Sequence, residues 1–440
     1  MIAAERLSSR LAGRPSMDGA EIVGWAAEIA ETEAVRVGVR DSRFGGPYEG
    51  PDTTLRLAGA LDLHWSDGQR SRVNLDRHGF ADLDGELPGW RAAAYRDRSS
   101  GLPRLAGPAD LPDVQTHDPD LALAVRDDSG RLLDLLDRIR EQALAAGVRR
   151  VDGSLRALHG WRTVATSAGF RSDWEETACR LTLWGDEIAP ARYGRRRLPS
   201  SDDLGRMVSQ VARLAPLLRQ EETLPASARG VILMPDLVDE MLARLLLPNL
   251  AGRAIRDGRS PFTPEDLDRG ARIVWSDLDL VVDTTLPFEL ATAPCSSEGV
   301  PGGRTTLVDR GRLVSPIVDL ATAHELGRAP TPVPRASPRA LLLSQSPPLA
   351  LDAAVRLLGE GAIVRDLPGL HTQQARRSQY ALIAPDAQVV RHGRAGGRCA
   401  VRVAGNLLDH LNRPTTRLVG VPGELGVGLL VLDGCHLMPA

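Results

Sequence analysis

The chain contains a single histidine followed directly by glutamate, at His324 and Glu325. A helical zinc-peptidase motif needs a second histidine four or five residues after the first, so that both ligands share a helix face with the glutamate as general base. Arg328 and Ala329 occupy those two positions. The second ligand is therefore absent at either spacing. We interpret His324 as a helix-surface residue beside a solvated glutamate.

Other metal donors are too scattered to form a recognisable ligand set. Cys435 and His436 are adjacent, but no third ligand lies near them in the sequence, and only folding could bring in His371, His392 or His410. We therefore predict no metal site in this chain.

A nucleophilic site would need a serine or cysteine on a strained turn beside a base. The chain has no GxSxG motif, and the cluster from Cys295 to Gly299 is typical of a turn after a strand. An autonomous hydrolase built around Cys295, Ser296 and His324 is kept as an alternative. The run Arg195–Arg197 is interpreted as a solvated loop, with a docking patch for an acidic partner as the alternative.

Composition narrows the function classes. The 440 residues, 42% of them apolar, predict two or three folded domains. The net charge of −3 argues against a general nucleic-acid binder, and all 54 basic residues are arginine, which excludes a Schiff-base or P-loop lysine. The four cysteines are too few for a disulfide scaffold. No secretory signal or membrane-spanning stretch is recognisable, so we expect a cytoplasmic protein without membrane contact.

The first half predicts a mixed α/β domain over residues 1–225, ending in the polar segment 219–230. Residues 101–120, rich in proline and aspartate, predict a long loop. Apolar residues at helical spacing predict an amphipathic helix over 18–33. The remaining predictions are helices over 127–147 and 200–220 and strands over 34–41, 54–65, 70–76 and 174–185.

The second half predicts a β-rich domain with a few helices over residues 226–440. Residues 230–235 read as a buried strand, and Thr263 begins a capped helix with Pro264 and Asp266. Two strand–turn–strand units follow, over 305–319 and 386–408. The fold class expected for the whole chain is α+β.

The C-terminal half resembles the TldD/PmbA family, and within it the TldE (PmbA) branch. The resemblance rests on an ordered series of segments covering about 226–432. They are GVILMPDLVDEMLARLLLPNLAG (230–252), GRSPF (258–262), LDLVVDTTLPF (278–288), SSEGVPGGRTTLVDRGRLVSPIVDLATAHELG (296–327) and, most specific, VRVAGNLLDHLNR (401–413).

In that family two related chains form a heterodimer that hydrolyses peptides. The TldD-type chain holds zinc through an HExxxH motif and a distant cysteine, whereas the TldE-type chain lacks these ligands. The resemblance therefore implies a non-catalytic subunit, with zinc in a TldD-like partner and none in this chain. Glu298, Arg304, Asp309 and His324 are the residues expected at the peptide cleft or the interface. Ser297, where the family usually has an acid, favours a specialised role such as one in a biosynthetic pathway. A non-enzymatic binding or scaffold protein is the other alternative.

Overall fold

The computed structural model describes residues 2–44, 52–96, 106–127, 129–275, 277–332, 340–421 and 426–440. In these ranges no helix is long and apolar enough to cross a membrane. Residues 101–105 of the predicted loop 101–120 lie outside the described residues. From residue 106 to residue 118 the chain contains no helix or strand, as predicted, before a helix begins at Pro119.

A large antiparallel sheet organises the first half. Its strands are β1 Ser16–Met17, β2 Ala20–Arg40, β3 Arg43–Phe44, β4 Asp52–Trp65, β5 Gln69–Leu75, β6 Tyr95–Arg96, β7 Val151–Thr166, β8 Arg171–Gly185 and β9 Ala189–Arg195. Its helices are α1 Ile2–Ala12, α2 Arg77–Ala81, α3 Leu83–Ala92, α4 Pro119–Arg126, α5 Gly130–Ala145 and α6 Ser201–Leu218. The strand order is β6-β5-β4-β2-β7-β8-β9, with β1 and β3 paired to β2.

The predicted helix over 18–33 is wrong, because residues 18 and 19 form a turn and residues 20–33 form the first part of the central strand β2. A register shift after Ile22 inserts one extra residue, so that Ile22 and Trp25 both face the same apolar core. The resulting three-residue spacing imitates a helix. Residues Gly24 to Ala27 of β2 are all buried, so the alternation expected of a half-exposed strand is lost there.

Helices cover one face of this sheet in two groups. At one end α1, α2 and α3 pack on β2 and β4 around the buried Trp65 and Trp90. At the other end α4, α5 and α6 pack on β7, β8 and β9. Because side chains alternate along a strand, the opposite face carries a separate set of residues. That opposite face, rich in charged side chains, borders the second half of the chain.

The second half contains two further sheets. Its strands are β10 Gly230–Leu233, β11 Leu278–Asp283, β12 Arg304–Asp309, β13 Arg312–Leu313, β14 Ala340–Ser344, β15 Leu349–Ala350, β16 Gly361–Val364, β17 Gln379–Arg391, β18 Arg394–Asn406, β19 Arg417–Gly420, β20 Gly428–Val431 and β21 His436–Pro439. Its helices are α7 Pro235–Met241, α8 Gly252–Arg256, α9 Pro264–Asp268, α10 Leu320–Glu325, α11 Leu351–Leu358 and α12 Leu407–Leu411. A π-helical turn Leu242–Leu246 and 3₁₀ turns Leu247–Leu250, Leu370–Thr372 and Ala375–Arg377 complete it.

The larger sheet is mixed and the smaller is antiparallel. Eight strands run in the order β15-β19-β20-β10-β16-β17-β18-β21, and four in the order β13-β12-β11-β14. The predicted α+β class is confirmed. The two predicted hairpins are also confirmed, and each turns through two residues of positive φ, Arg310–Gly311 and His392–Gly393, as type I′ turns require.

Candidate functional site

A cleft of about 780 Å³ lies between the charged face of the N-terminal sheet and the C-terminal half. Strands β7, β8 and β9 form one wall, and the start of α6 continues it. The opposite wall comes from Asp236 and Asp239 on α7 and from the loop between Glu289 and Ser297. The cleft is therefore built from segments far apart in the sequence.

A four-residue charge network crosses the cleft wall. The Arg162 guanidinium on β7 donates to Glu28 on β2 and, at 2.7 Å, to Glu176 Oε1 on β8. Arg196 Nη1 donates to Glu176 Oε2 at 3.2 Å. Burial alone would raise the pKa of Glu176, but the charges and hydrogen bonds of Arg162 and Arg196 outweigh burial and lower that pKa. Glu176 is thus held as a carboxylate and does not suit the role of a proton donor near neutral pH.

The run Arg195–Arg197 is not the solvated loop that the sequence predicted. Arg195 and Arg196 are only 9% and 8% exposed. Arg195 pairs with Glu289 Oε2 at 2.9 Å, and Arg196 donates to the carbonyl oxygens of Glu289 and Leu290, both at 3.1 Å. These residues fasten the N-terminal sheet to the loop of the C-terminal half that lines the cleft, which is why they are buried.

Two arginines on the same sheet face have no such partners. Arg156 on β7 lies directly opposite Arg180 on β8, both are exposed, and Arg180 lines the cleft. Within the ranges that the structure describes, neither guanidinium makes a hydrogen bond or ion pair. Like charges placed directly opposite each other on a sheet destabilise it. This pair therefore favours an anionic group, such as a carboxylate, at this end of the cleft.

The cleft also contains two buried polar atoms with no hydrogen-bond partner in the described residues, Trp174 Nε1 and Ser297 Oγ. Buried polar atoms are nearly always satisfied in folded proteins, by protein groups, water or a ligand. The backbone amides and carbonyls of a peptide could satisfy both.

The cysteine at the bottom of the cleft is not an activated nucleophile. Cys295 is 3% exposed, and burial raises the pKa of its thiol to about 12. Ser296 Oγ accepts hydrogen bonds from the backbone N–H groups of Glu298 and Val300, at 3.3 and 3.2 Å, as expected of the predicted turn. His324 is exposed on α10, and in the described residues no hydrogen bond or ion pair joins it to Cys295 or Ser296. The arrangement does not favour an autonomous hydrolase at these residues.

The four residues expected at the cleft or interface do not come together as one site. Glu298 is buried, and its Oε2 accepts a hydrogen bond from Leu320 N at 2.9 Å at the start of α10. Arg304 begins β12 and Asp309 ends it at the hairpin turn, and both are exposed, as is His324. None of the four lines the cleft. Their assignment to an interface stays a prediction.

The adjacent Cys435 and His436 point to different environments. Cys435 is buried, with Sγ 4.0 Å from Tyr380 Oη, which lies 3.0 Å from His410 Nε2. His436 is exposed on β21. Burial raises the pKa of Cys435 to about 11, and burial followed by the charge of Arg413 lowers the pKa of His410 to about 4. We interpret this group as a neutral, buried polar contact.

One set of donors that sequence reasoning missed does converge, on the helix-covered face. His117, His159 and Glu175 place their ligand atoms within 4.8 Å of one another, and no other such group occurs in the described residues. The three residues come from three segments with no motif spacing, so no local signal identifies them. Alternation along β7 and β8 would have indicated only that His159 and Glu175 share a face.

The comparisons with known proteins concern the C-terminal half and the whole fold. Residues 228–436 match the family model described as the PmbA/TldA metallopeptidase C-terminal domain. No curated protein matches the chain in sequence.

Three solved structures share the fold along nearly the full chain. TldE from Thermococcus kodakarensis superposes with a TM-score of 0.77 at 15% identity, covering 98% of this chain and 99% of that one. A Thermotoga maritima protein described as a candidate modulator of a DNA gyrase gives 0.74 at 14% identity, covering 99% and 100%. A Bacteroides thetaiotaomicron protein described as a candidate modulator of DNA gyrase gives 0.73 at 15%, covering 100% and 98%. At these identities the likeness concerns the fold alone.

Proposed function

The chain belongs to the TldD/PmbA family through its C-terminal domain, and from this premise we propose that it is the non-catalytic subunit of a two-chain zinc peptidase. A TldD-like partner would contribute the zinc and the general base. This chain would form one wall of the substrate cleft and bind an extended peptide there. Ser297 at the cleft favours a specialised peptide, such as the precursor of a biosynthetic product.

One observation supports the proposal: the described residues that line the cleft include charged groups that could bind a peptide but no recognisable catalytic set. Among the described residues that line it, histidine is absent and the single cysteine is the protonated Cys295. Its carboxylates are largely matched by arginines, as in the pairs of Glu176 with Arg162 and Glu289 with Arg195. These residues do not fit a zinc ion, which prefers a set of histidine, cysteine and carboxylate ligands.

Binding would use the groups that the fold leaves unsatisfied. Arg156 and Arg180 suit a peptide carboxylate, because guanidinium–carboxylate hydrogen bonds are strong and can be bidentate. Trp174 Nε1 can donate to a peptide carbonyl, and Ser297 Oγ can donate or accept. The buried network around Glu176 keeps this wall rigid without taking part in proton transfer.

Reconstitution tests the proposal. The purified chain, a TldD-type chain with an intact HExxxH motif, and their mixture are assayed on peptides with and without acidic residues. We expect hydrolysis from the mixture and none from this chain alone. Hydrolysis by this chain alone would contradict the proposal, as would an unchanged rate when it is added to the partner.

The role of the arginine pair is tested in the same mixture. In an R156A/R180A variant we expect KM for an acidic peptide to rise about tenfold with kcat little changed, which corresponds to about 1.4 kcal/mol of binding free energy. Arg138→Ala, an exposed arginine on α5 away from the cleft, is the matched control. If both variants behave alike, these arginines do not bind substrate.

A further inference from the structure

Among the residues that the structure describes, the one convergent group of metal-ligand side chains lies on the sheet face opposite the cleft. His159 on β7 and Glu175 on β8 are diagonal neighbours across the two strands, and His117 reaches them from segment 106–118, which passes the edge of β8. The group lies between the two sets of covering helices. It is therefore separate from the proposed peptide site.

The distances between donor atoms suit a common ion. His117 Nε2 lies 3.4 Å from Glu175 Oε1, and His159 Nε2 lies 2.5 Å from the same oxygen. Two ligands of a tetrahedral zinc ion with bonds of about 2.1 Å are about 3.4 Å apart. The pair of His117 and Glu175 already has that spacing. Side-chain movements of about 1 Å would bring His159 into the same arrangement.

A second, independent observation concerns His117. Its Nε2 atom is hidden from solvent and makes no hydrogen bond in the described part of the chain. A buried nitrogen that makes no hydrogen bond is unfavourable, even with the Glu175 carboxylate 3.4 Å away. An ion bound between Nε2 and the Glu175 carboxylate would satisfy this nitrogen.

The backbone already holds the three donors in place. Thr116 Oγ1 donates to the Glu175 carbonyl at 2.8 Å, and Thr177 N donates to the Thr116 carbonyl at 3.0 Å. Asp118 N donates to Thr177 Oγ1 at 2.9 Å. Hydrogen bonds on both sides of His117 thus fix its position over β8 before any ion binds, which is the preorganisation that a metal site needs.

We propose that His117, His159 and Glu175 bind a zinc-type divalent cation, with water completing the coordination. Two imidazoles and one carboxylate favour zinc over magnesium or calcium, which prefer all-oxygen ligand sets. This proposal goes against the sequence-based expectation that the chain holds no metal.

The ion would pin segment 106–118 to the sheet. That segment also accepts a hydrogen bond from Phe288 N at the Gln115 carbonyl, at 3.2 Å, next to the loop that lines the cleft. The site therefore has a structural role, independent of any partner's catalytic zinc.

Zinc titration of the tag-free full chain tests the proposal. After chelator treatment, zinc chloride alone is titrated by calorimetry, and cobalt is titrated as a spectroscopic substitute. We expect one equivalent per chain, a cobalt absorption typical of four-coordinate nitrogen and oxygen ligands, and a higher thermal midpoint with zinc. Absence of binding up to millimolar zinc overturns the proposal.

Variants locate the ion. His117→Ala removes one ligand from an irregular segment, and Glu175→Gln keeps the shape of the side chain, so at least one of the two should fold like the parent. We expect each to weaken zinc binding by at least about 100-fold, because even changes outside the direct ligands cost about 10–100-fold. His371→Ala is the control and should bind zinc normally, because His371 is exposed in the 3₁₀ turn Leu370–Thr372 of the C-terminal half. Parent-like binding in a folded His117→Ala or Glu175→Gln variant would place the ion elsewhere and refute the proposal.

Discussion

The two faces of the N-terminal sheet differ in the groups that surround their acidic side chains. On the cleft face, Glu176 is closed in by Arg162 and Arg196, so its charge is compensated within the chain. On the helix-covered face, Glu175 meets two histidines, one of which has a buried nitrogen without a hydrogen bond. Glu176 thus belongs to an ion-pair network, whereas the adjacent Glu175 belongs to the proposed zinc-ligand set. Neighbouring acids in a sequence can therefore have unrelated roles once a strand divides them between two faces.

The largest expected effect is on the cleft face. Glu176→Ala would leave the buried Arg196 without its carboxylate and would reduce the pairing of Arg162 to Glu28 alone. Removing one partner of a buried ion pair costs about 3–5 kcal/mol, so we expect the free energy of unfolding to fall by that amount in denaturant titrations. Glu141→Gln, exposed on α5, should change it by less than about 0.5 kcal/mol. A comparable loss in both variants would show that the network does not stabilise the fold.

A smaller effect is expected on the helix-covered face. If zinc binds the folded chain at His117, His159 and Glu175, zinc at 100 times its dissociation constant should stabilise the chain by about 2.7 kcal/mol. The gain should be seen as a raised thermal midpoint in the parent and be absent in His117→Ala. Equal stabilisation of the two proteins would show that zinc does not bind at His117, and the proposed difference between the two faces would be wrong.

Acidification should weaken the cleft face in a defined direction. The pKa of Glu176 is lowered in the folded chain, so its contribution to stability is present above the unfolded value of about 4.3 and is lost as the pH falls through the lower folded value. We expect the unfolding free energy of the parent to fall more steeply below pH 5 than that of Glu176→Gln. Parallel curves for the two proteins would mean that the arginines do not lower this pKa.

The smallest effect on stability is expected for the opposed arginines. Removing Arg156 and Arg180 relieves a like-charge contact at an exposed site, so we expect the unfolding free energy to change by less than about 0.5 kcal/mol, and toward greater stability. Differential scanning calorimetry of R156A/R180A beside Arg138→Ala measures this. A large destabilisation would show that the pair is structural and not kept for a ligand.

Local rules predicted much of the fold. The capping box predicted at Thr263 with Asp266 is present, and both predicted hairpins form. Such features depend on residues close in sequence, so propensity and spacing suffice. The prediction for the first part of β2 was wrong because the bulge and the central position of this strand in the sheet are tertiary features.

The sites were less predictable than the elements. Glu176 contacts Arg196 in the cleft, and His117 lies beside His159 and Glu175 in the donor group. Both sets of contacts depend on strand register and on where distant segments of the chain cross. The absence of a second histidine after His324 was visible in the sequence, but the convergence of three distant donors was not. The buried Arg195 and Arg196 show the same limit, because their partners Glu289 and Leu290 lie more than 90 residues away.

We expect this chain to shape the cleft while another chain performs the chemistry. Inactivating each chain separately in the reconstituted complex tests this division directly. We predict that Cys295→Ala in this chain leaves kcat within about twofold, whereas replacing the general-base glutamate of the partner's HExxxH motif by glutamine removes hydrolysis. Activity retained by the partner variant together with loss of activity in Cys295→Ala would contradict this division of roles.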